Sequence, residues 1–142
     1  MSDTLHIILK NDLGEIERLN LQLEEFGARH YLHTEELYAV NLSLEEIVTN
    51  VIRYAWPDGG EHAIDVTVNI NDQEIKIVVE DDGIPFNPCE VPEPDKSQPA
   101  AQRKIGGLGI HLVRQSMDHM GYLNADNKNI LMLDKKRKAV AV

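Results

Sequence analysis

Glu46 and Asn50 stand four residues apart in the stretch NLSLEEIVTNVIRYAW, Asn41–Trp56. In a helix that spacing puts them on adjacent turns of one side. A carboxylate beside a carboxamide can offer oxygen to a divalent cation and steer a nucleophile. On their own the two residues fit a solvated helix face more readily. Asp81-Asp82-Gly83 follows an apolar run. An acid at the end of a buried strand can accept a hydrogen bond from an exocyclic base amine, and glycine lets a ring approach the backbone. Asp-Gly is also a common turn pair, so turn and site both stay open. Gly106-Gly107-Leu108-Gly109 precedes an apolar helical pattern. Clustered glycines at a helix start expose N–H groups to an anion, or they form a hinge. The cluster lacks the Lys-Ser/Thr of a P-loop and follows a loop rather than a strand, so neither a P-loop nor a dinucleotide fingerprint fits.

These groups need elements to hold them. Leu37, Val40, Leu44, Ile47, Val48, Val51 and Ala55 recur at three- and four-residue steps. That stripe predicts a long helix, capped by Thr34 and ending near Ala55, before Pro57-Asp58-Gly59-Gly60. Upstream, Leu5–Lys10 predicts a first strand, at a sheet edge. Ile16, Leu19, Leu23 and Phe26 predict an amphipathic helix stopping at Gly27. On that helix Glu15 and Arg18 fit surface solubility or a partner surface. Ile64, Val66, Val68 and Ile70 alternate, as do Ile75, Ile77 and Val79, which predicts a hairpin across Asn71-Asp72-Gln73. Cys89–Arg103 carries three prolines and almost no apolar residue, so it reads as a long loop. A third helix is expected from the glycine cluster to about His119. A last hairpin should pair Gly121–Ala125 with Asn129–Asp134.

The bulk numbers narrow the function classes. With 142 residues and 42% hydrophobic content, the chain is expected to form a single domain, 1–142. A formal net charge of −10 argues against direct nucleic-acid binding. The basic run Lys135-Lys136-Arg137-Lys138 reads as a solvated strand end or frayed tail. No apolar run reaches the ~20 residues of a membrane span, and MSDTLHIILKND has no basic start or cleavage site. Cys89 is the sole cysteine, which rules out an internal disulfide. A soluble, cytoplasmic protein without membrane contact is expected. The six histidines show no metal-ligand spacing and are expected to be structural or superficial. Trp56 and Tyr54 are expected as core or shelf residues, and Met117 and Met120 as gap fillers.

Order and spacing add a further signal. Glu46…Asn50 on a helix, Asp81-x-Gly83 after a hairpin, a long loop, then Gly107-x-Gly109 at a helix start resembles the ATP-binding domain shared by histidine kinases, gyrase, the Hsp90 chaperones and MutL. Within that superfamily EEIVTNVIRYAW, VEDDGIPFNP and GGLGIHLV resemble the anti-sigma-factor serine/threonine kinases. The resemblance implies an α/β two-layer sandwich of the Bergerat type. A mixed, mainly antiparallel sheet would pack one face on the helices, with ATP between helices and a lid at about 87–105. Asn50 would hold magnesium against the phosphates, and Glu46 would orient or deprotonate the attacking serine hydroxyl. Asp81 would bind the adenine amine and Gly83 admit the ring. Gly107 and Gly109 would offer backbone donors to the phosphates, and Arg103 or Lys104 would reach the terminal phosphate. The implied partners are a small anti-sigma-factor antagonist as substrate, a sigma factor or other effector, and a second copy as homodimer. Two other activities are compatible with the motifs: an ATP-gated partner-switching module without transfer, and a detached histidine kinase catalytic domain. Two departures stand out. Pro85 replaces the second glycine expected after Asp81-x-Gly83, which stiffens the loop under the base. Ile105 sits where a basic residue often precedes the glycines.

Overall fold

The computed structural model describes residues 2–90 and 107–138. Its elements run β1 (Asp3–Lys10), α1 (Glu15–Arg29), α2 (Thr34–Tyr54), β2 (Ala63–Ile70), β3 (Glu74–Asp81), a 3-10 turn at Pro88–Glu90, α3 (Gly107–Ser116), β4 (His119–Ala125) and β5 (Lys128–Lys136). The strands lie in the order β1-β2-β3-β5-β4, and every pairing is antiparallel. It is the wholly antiparallel case of the mainly antiparallel sheet expected.

Period-two alternation sends one side of each strand inward. Ile64, Val66, Val68 and Ile70 of β2 are buried, as are Ile75, Ile77 and Val79 of β3. The helices cover that face. Leu19, Leu23 and Phe26 of α1 join Val40, Leu44, Ile47 and Val48 of α2 and Ile110 and Val113 of α3 in one apolar core. Each such side chain contributes about 1.5–3 kcal/mol by leaving water. The result is the expected α/β two-layer sandwich.

The turns show how local chemistry sets register. Asn71 Oδ1 accepts from the N–H groups of Gln73 and Glu74, both at 2.8 Å, closing the β2–β3 hairpin. Asp126 and Asn127 adopt φ of 54° and 61°, the left-handed pair that a tight β4–β5 connection requires.

Several local expectations are corrected. Helix α1 runs past Gly27 to Arg29. A Cβ on Gly27 would sit 3.0 Å from Leu37 Cδ1 and 3.3 Å from Leu32 Cδ1, so this glycine serves close helix packing, not termination. The left-handed residue after α1 is Tyr31, at φ 56°. The N-cap of α2 is His33 rather than Thr34. Glu36 Oε1 accepts its N–H at 2.9 Å, the reach-back half of a capping box. Helix α3 ends at Ser116, and His119 opens β4.

The basic run is neither solvated throughout nor frayed at Arg137. This guanidinium is 7% exposed and lies 3.6 Å from Glu36, itself 1% exposed. It also donates to the carbonyls of Asn71, His30 and Tyr31. Lys135 Nζ donates to Ser116 O at 2.9 Å. The histidines pair with surface carboxylates in four places: His6–Asp65, His30–Asp3, His62–Asp82 and His119–Asp134. Among the described residues no helix is long and apolar enough to cross a membrane.

Candidate functional site

The carboxyl-terminal half of α2 carries Glu46, Asn50 and Tyr54 at four-residue steps, hence along one side. Beside that side lies a cavity of about 230 Å³. Asn50, Val51 and Tyr54 form its helical wall, with Ile110 from α3. Val79, Asp81 and Leu131 form the floor on the inner face of the sheet, and Ile84, Pro85 and Phe86 form an exposed rim. The walls are mostly apolar with a few polar side chains among them, the usual make-up of a small-molecule site.

Asp81 ends β3 and is 8% exposed. Its Oδ1 accepts from Gly83 N and from Asn129 Nδ2, each at 2.9 Å. Among the described residues Oδ2 takes no hydrogen bond. Burial pushes the carboxyl above its ordinary range, the two donors pull it back, and neighbouring Asp82 raises it again. A desolvated carboxylate with one uncommitted oxygen is a strong acceptor for an amine.

Gly83 lies against the end of α2. A Cβ there would stand 2.6 Å from Ala55 O, and Ile84 N donates to that same oxygen at 2.8 Å. The missing side chain therefore lets the loop after β3 lie directly on the helix, which holds Asp81 beside Val51 and Ala55. Behind this contact Trp56 Nε1 donates to Asp82 Oδ1 at 3.0 Å, and the His62 ring stacks on Trp56 at 4.5 Å and 3°. Trp56 thus braces the loop after β3 from outside the cavity lining, and Tyr54 lines the cavity.

One turn of α2 before Asn50, Glu46 meets α3. A Cβ on Gly109 would lie 3.0 Å from Glu46 Cδ and would run into its carboxylate oxygen. Gly109 thus gives Glu46 the space it occupies, on the first turn of a helix that begins at Gly107. The N–H groups of such a turn have no partner within the helix and attract anions. Among the described residues no group of three or more His, Cys, Asp or Glu is arranged to hold a metal. A divalent ion here would lean on the Asn50 amide oxygen, water and the ligand's own oxygens, a donor set suited to magnesium.

Of the expected site residues, Asn50 and Asp81 line the cavity, Gly83 lies against Ala55 of its wall, Glu46 packs against Gly109, and Gly107 opens α3. Arg103, Lys104 and nearly all of the expected lid lie outside the described residues. Sequence reasoning missed Asn129 and Tyr122. Asn129 is 6% exposed at the start of β5, and its Oδ1 accepts a short hydrogen bond from Tyr122 OH. The available signal was an asparagine in the inward register of Asn129, Leu131 and Leu133. A polar residue on a buried face needs partners.

Residues 9–135 match the family described as histidine kinase-like ATPase domain. The anti-sigma F factor of Clostridium perfringens is 30% identical over 105 residues, covering 72% of this chain and 74% of that protein. The serine/threonine-protein kinase BtrW of Bordetella bronchiseptica is 24% identical over 111 residues, 78% of each chain. The serine-protein kinase RsbW of Listeria monocytogenes is 23% identical over 133 residues, 91% of this chain and 83% of that one. Among solved structures, the RsbU and RsbW domains of Rv1364c from Mycobacterium tuberculosis superpose with a TM-score of 0.67 at 16% identity. That match covers 99% of this chain and 34% of the other, and it bears on the fold.

Proposed function

We propose, from the premise that this chain belongs to the histidine kinase-like ATPase domain family and within it to the anti-sigma-factor kinases, that it is an ATP-dependent protein serine/threonine kinase. Its substrate is a small anti-sigma-factor antagonist, and its second partner is a sigma factor or another effector, held and released as the antagonist changes state. The observation that carries this reading is convergence. Glu46 of α2 packs against Gly109 in the first turn of α3, and one turn further along the same side of α2 Asn50 lines the cavity together with Asp81. An adenine fits the mostly apolar end with its amine toward Asp81. The phosphates then extend toward Asn50 and the first turn of α3.

Phosphoryl transfer needs positioning and charge neutralisation more than covalent help. Asn50 would hold magnesium through its amide oxygen, and the ion would supply charge neutralisation on the phosphate oxygens. Glu46 stands at the phosphate end, where its carboxylate orients the incoming serine hydroxyl. As the serine oxygen bonds to the terminal phosphorus, the bond to the bridging oxygen breaks and the hydroxyl proton passes to Glu46. ADP leaves with the electron pair of the broken bond.

The test is incubation with ATP, magnesium and candidate antagonist proteins, followed by mapping of the modified residue. Phosphoserine supports the kinase; an acid-labile phosphohistidine assigns the chain to the histidine kinases; binding without transfer leaves a partner-switching module. Glu46→Gln separates binding from chemistry. It should keep ATP affinity within about threefold while lowering transfer by about a hundredfold or more. Full transfer by that variant removes Glu46 from its role.

A further inference from the structure

Asn129 joins more of the cleft than any residue assigned a role above. Its Nδ2 lies 2.9 Å from Asp81 Oδ1, 3.2 Å from Gly83 O and 3.0 Å from Ile84 O. Its Oδ1 accepts from Tyr122 OH, from Asn124 Nδ2 at 3.2 Å and, at 3.4 Å, from Phe86 N. The two ends of this amide are not interchangeable. The carbonyls of Gly83 and Ile84 only accept, and the Phe86 N–H only donates. A flipped amide would set oxygen against two carbonyls and a carboxylate. The network therefore selects an asparagine in one orientation. Aspartate offers no donor toward Asp81, and an apolar residue offers nothing to either side.

The consequence falls on Asp81. With Oδ1 held by Asn129 and Gly83, the carboxylate cannot rotate about its own axis without losing both bonds. Its other oxygen is thereby fixed in direction, and Asp81 lines the cleft. The same amide ties the loop bearing Ile84, Pro85 and Phe86 to β4 and β5. The acceptor and the rim that would cover a base are thus set by a single side chain.

We infer that Asn129 is the positioning residue for base selectivity: it aims the uncommitted oxygen of Asp81 so that the cleft prefers a purine carrying a 6-amino group over one that lacks it. This rests on the nucleotide-binding reading above. A site built to hydrogen-bond a substrate amine rejects the analogue without it, because the buried acceptor is left unpaired. That discrimination survives only while the acceptor is held in direction, which is the work of the Asn129 amide.

The experiment measures Kd for ATP and for the 6-unsubstituted purine riboside triphosphate, with magnesium, by calorimetry. It uses the full chain, Asn129→Leu and Asn129→Asp, with melting curves recorded in parallel. The unaltered protein should prefer ATP by about tenfold or more, and each folded variant should lose most of that ratio. A general loss of structure weakens both ligands alike and leaves the ratio standing, so the ratio separates positioning from scaffolding. Should the Asn129 variants fail to fold, Tyr122→Phe removes just the hydroxyl that orients the amide and should lower the ratio by about threefold. An unchanged ratio in the folded variants overturns the inference while the kinase reading stands. Absence of any binding by the unaltered protein overturns both, and equal affinity for the two purines overturns the inference at Asp81.

Discussion

Asp81 shows how a single side chain sets stability against function. Its carboxyl titrates above its ordinary value because burial penalises the charge. For a raised carboxyl the stabilising contribution is present below the unfolded value and is lost as pH rises through the folded one. The ionised form of Asp81 is therefore a cost to the fold. Asp81→Asn keeps an oxygen to accept from Gly83 and Asn129 but removes the buried charge. Its melting temperature at pH 7 should be no lower than that of the unaltered protein, while its preference for ATP over GTP collapses. Scanning calorimetry and competitive binding check the two halves separately. A clear drop in melting temperature would show that the charge itself supports the fold.

At the level of elements, short polar clasps decide how strand meets helix. Glu15 opens α1, where Oε1 accepts Lys10 N at 2.9 Å and Oε2 accepts Arg18 Nε at 2.8 Å. Arg18 Nη2 in turn reaches Ile8 O at 2.7 Å. The guanidinium of Arg18 and the N–H of Lys10 hold the Glu15 carboxyl down at about 2. A depressed carboxyl contributes stability that is present above its unfolded value and lost as pH falls through the folded one. The clasp should therefore weaken between roughly pH 4.5 and 2. Glu15→Gln should melt earlier than the unaltered protein at pH 7 by a degree or two, with the gap closing toward pH 2. Parallel melting curves across that range would show a gap that stays constant if the clasp is irrelevant. The loop contact of Gly83 on Ala55 works by the opposite means: an absent side chain, with no charge involved.

For the molecule as a whole, the end of β5 closes the sandwich at the edge remote from the cleft. Arg137 reaches Glu36 at the start of α2, the carbonyls of His30 and Tyr31 between the helices, and Asn71 in the β2–β3 turn. Lys138 adds a bond from its N–H to Glu36 Oε2 at 3.2 Å. A buried ion pair stabilises little relative to an apolar replacement, but removing one partner strands the other. Arg137→Met should cost about 3 kcal/mol, and adding Glu36→Leu should restore part of it. Chemical denaturation of the two single variants and the double variant gives the coupling. Strict additivity would mean that the pair is merely adjacent. Nucleotide affinity should hardly change, because Glu74 pairs with Lys136 at this end of β3 and Asp81 with Asn129 at the other.

The long stripe of α2 and the alternation of β2 and β3 were legible because each is a local pattern of period; Glu46, Asn50 and Asp81 stood out only through their joint order and spacing, which resembles a known family. Helix ends were less so. Gly27 has the chemistry of a terminator, yet packing against Leu32 and Leu37 kept the helix going, and a histidine took the capping position that Thr34 had the better side chain for. Arg137 looked like part of a solvated charge run because nothing in its neighbours announces Glu36, 101 residues earlier. The partners of Asn129 were hidden for the same reason, although its inward register marked it as a polar residue in need of some. Its partners come from β3, β4 and the loop at Gly83–Phe86, and only strand pairing sets them around one amide. Local order therefore determined the elements and which polar residues stand at which spacing, since periodicity and residue type are properties of neighbours along the chain. Tertiary structure alone decided how those residues are aimed, since hydrogen-bond direction, burial and the space left by a glycine belong to neighbours that the chain meets only by folding.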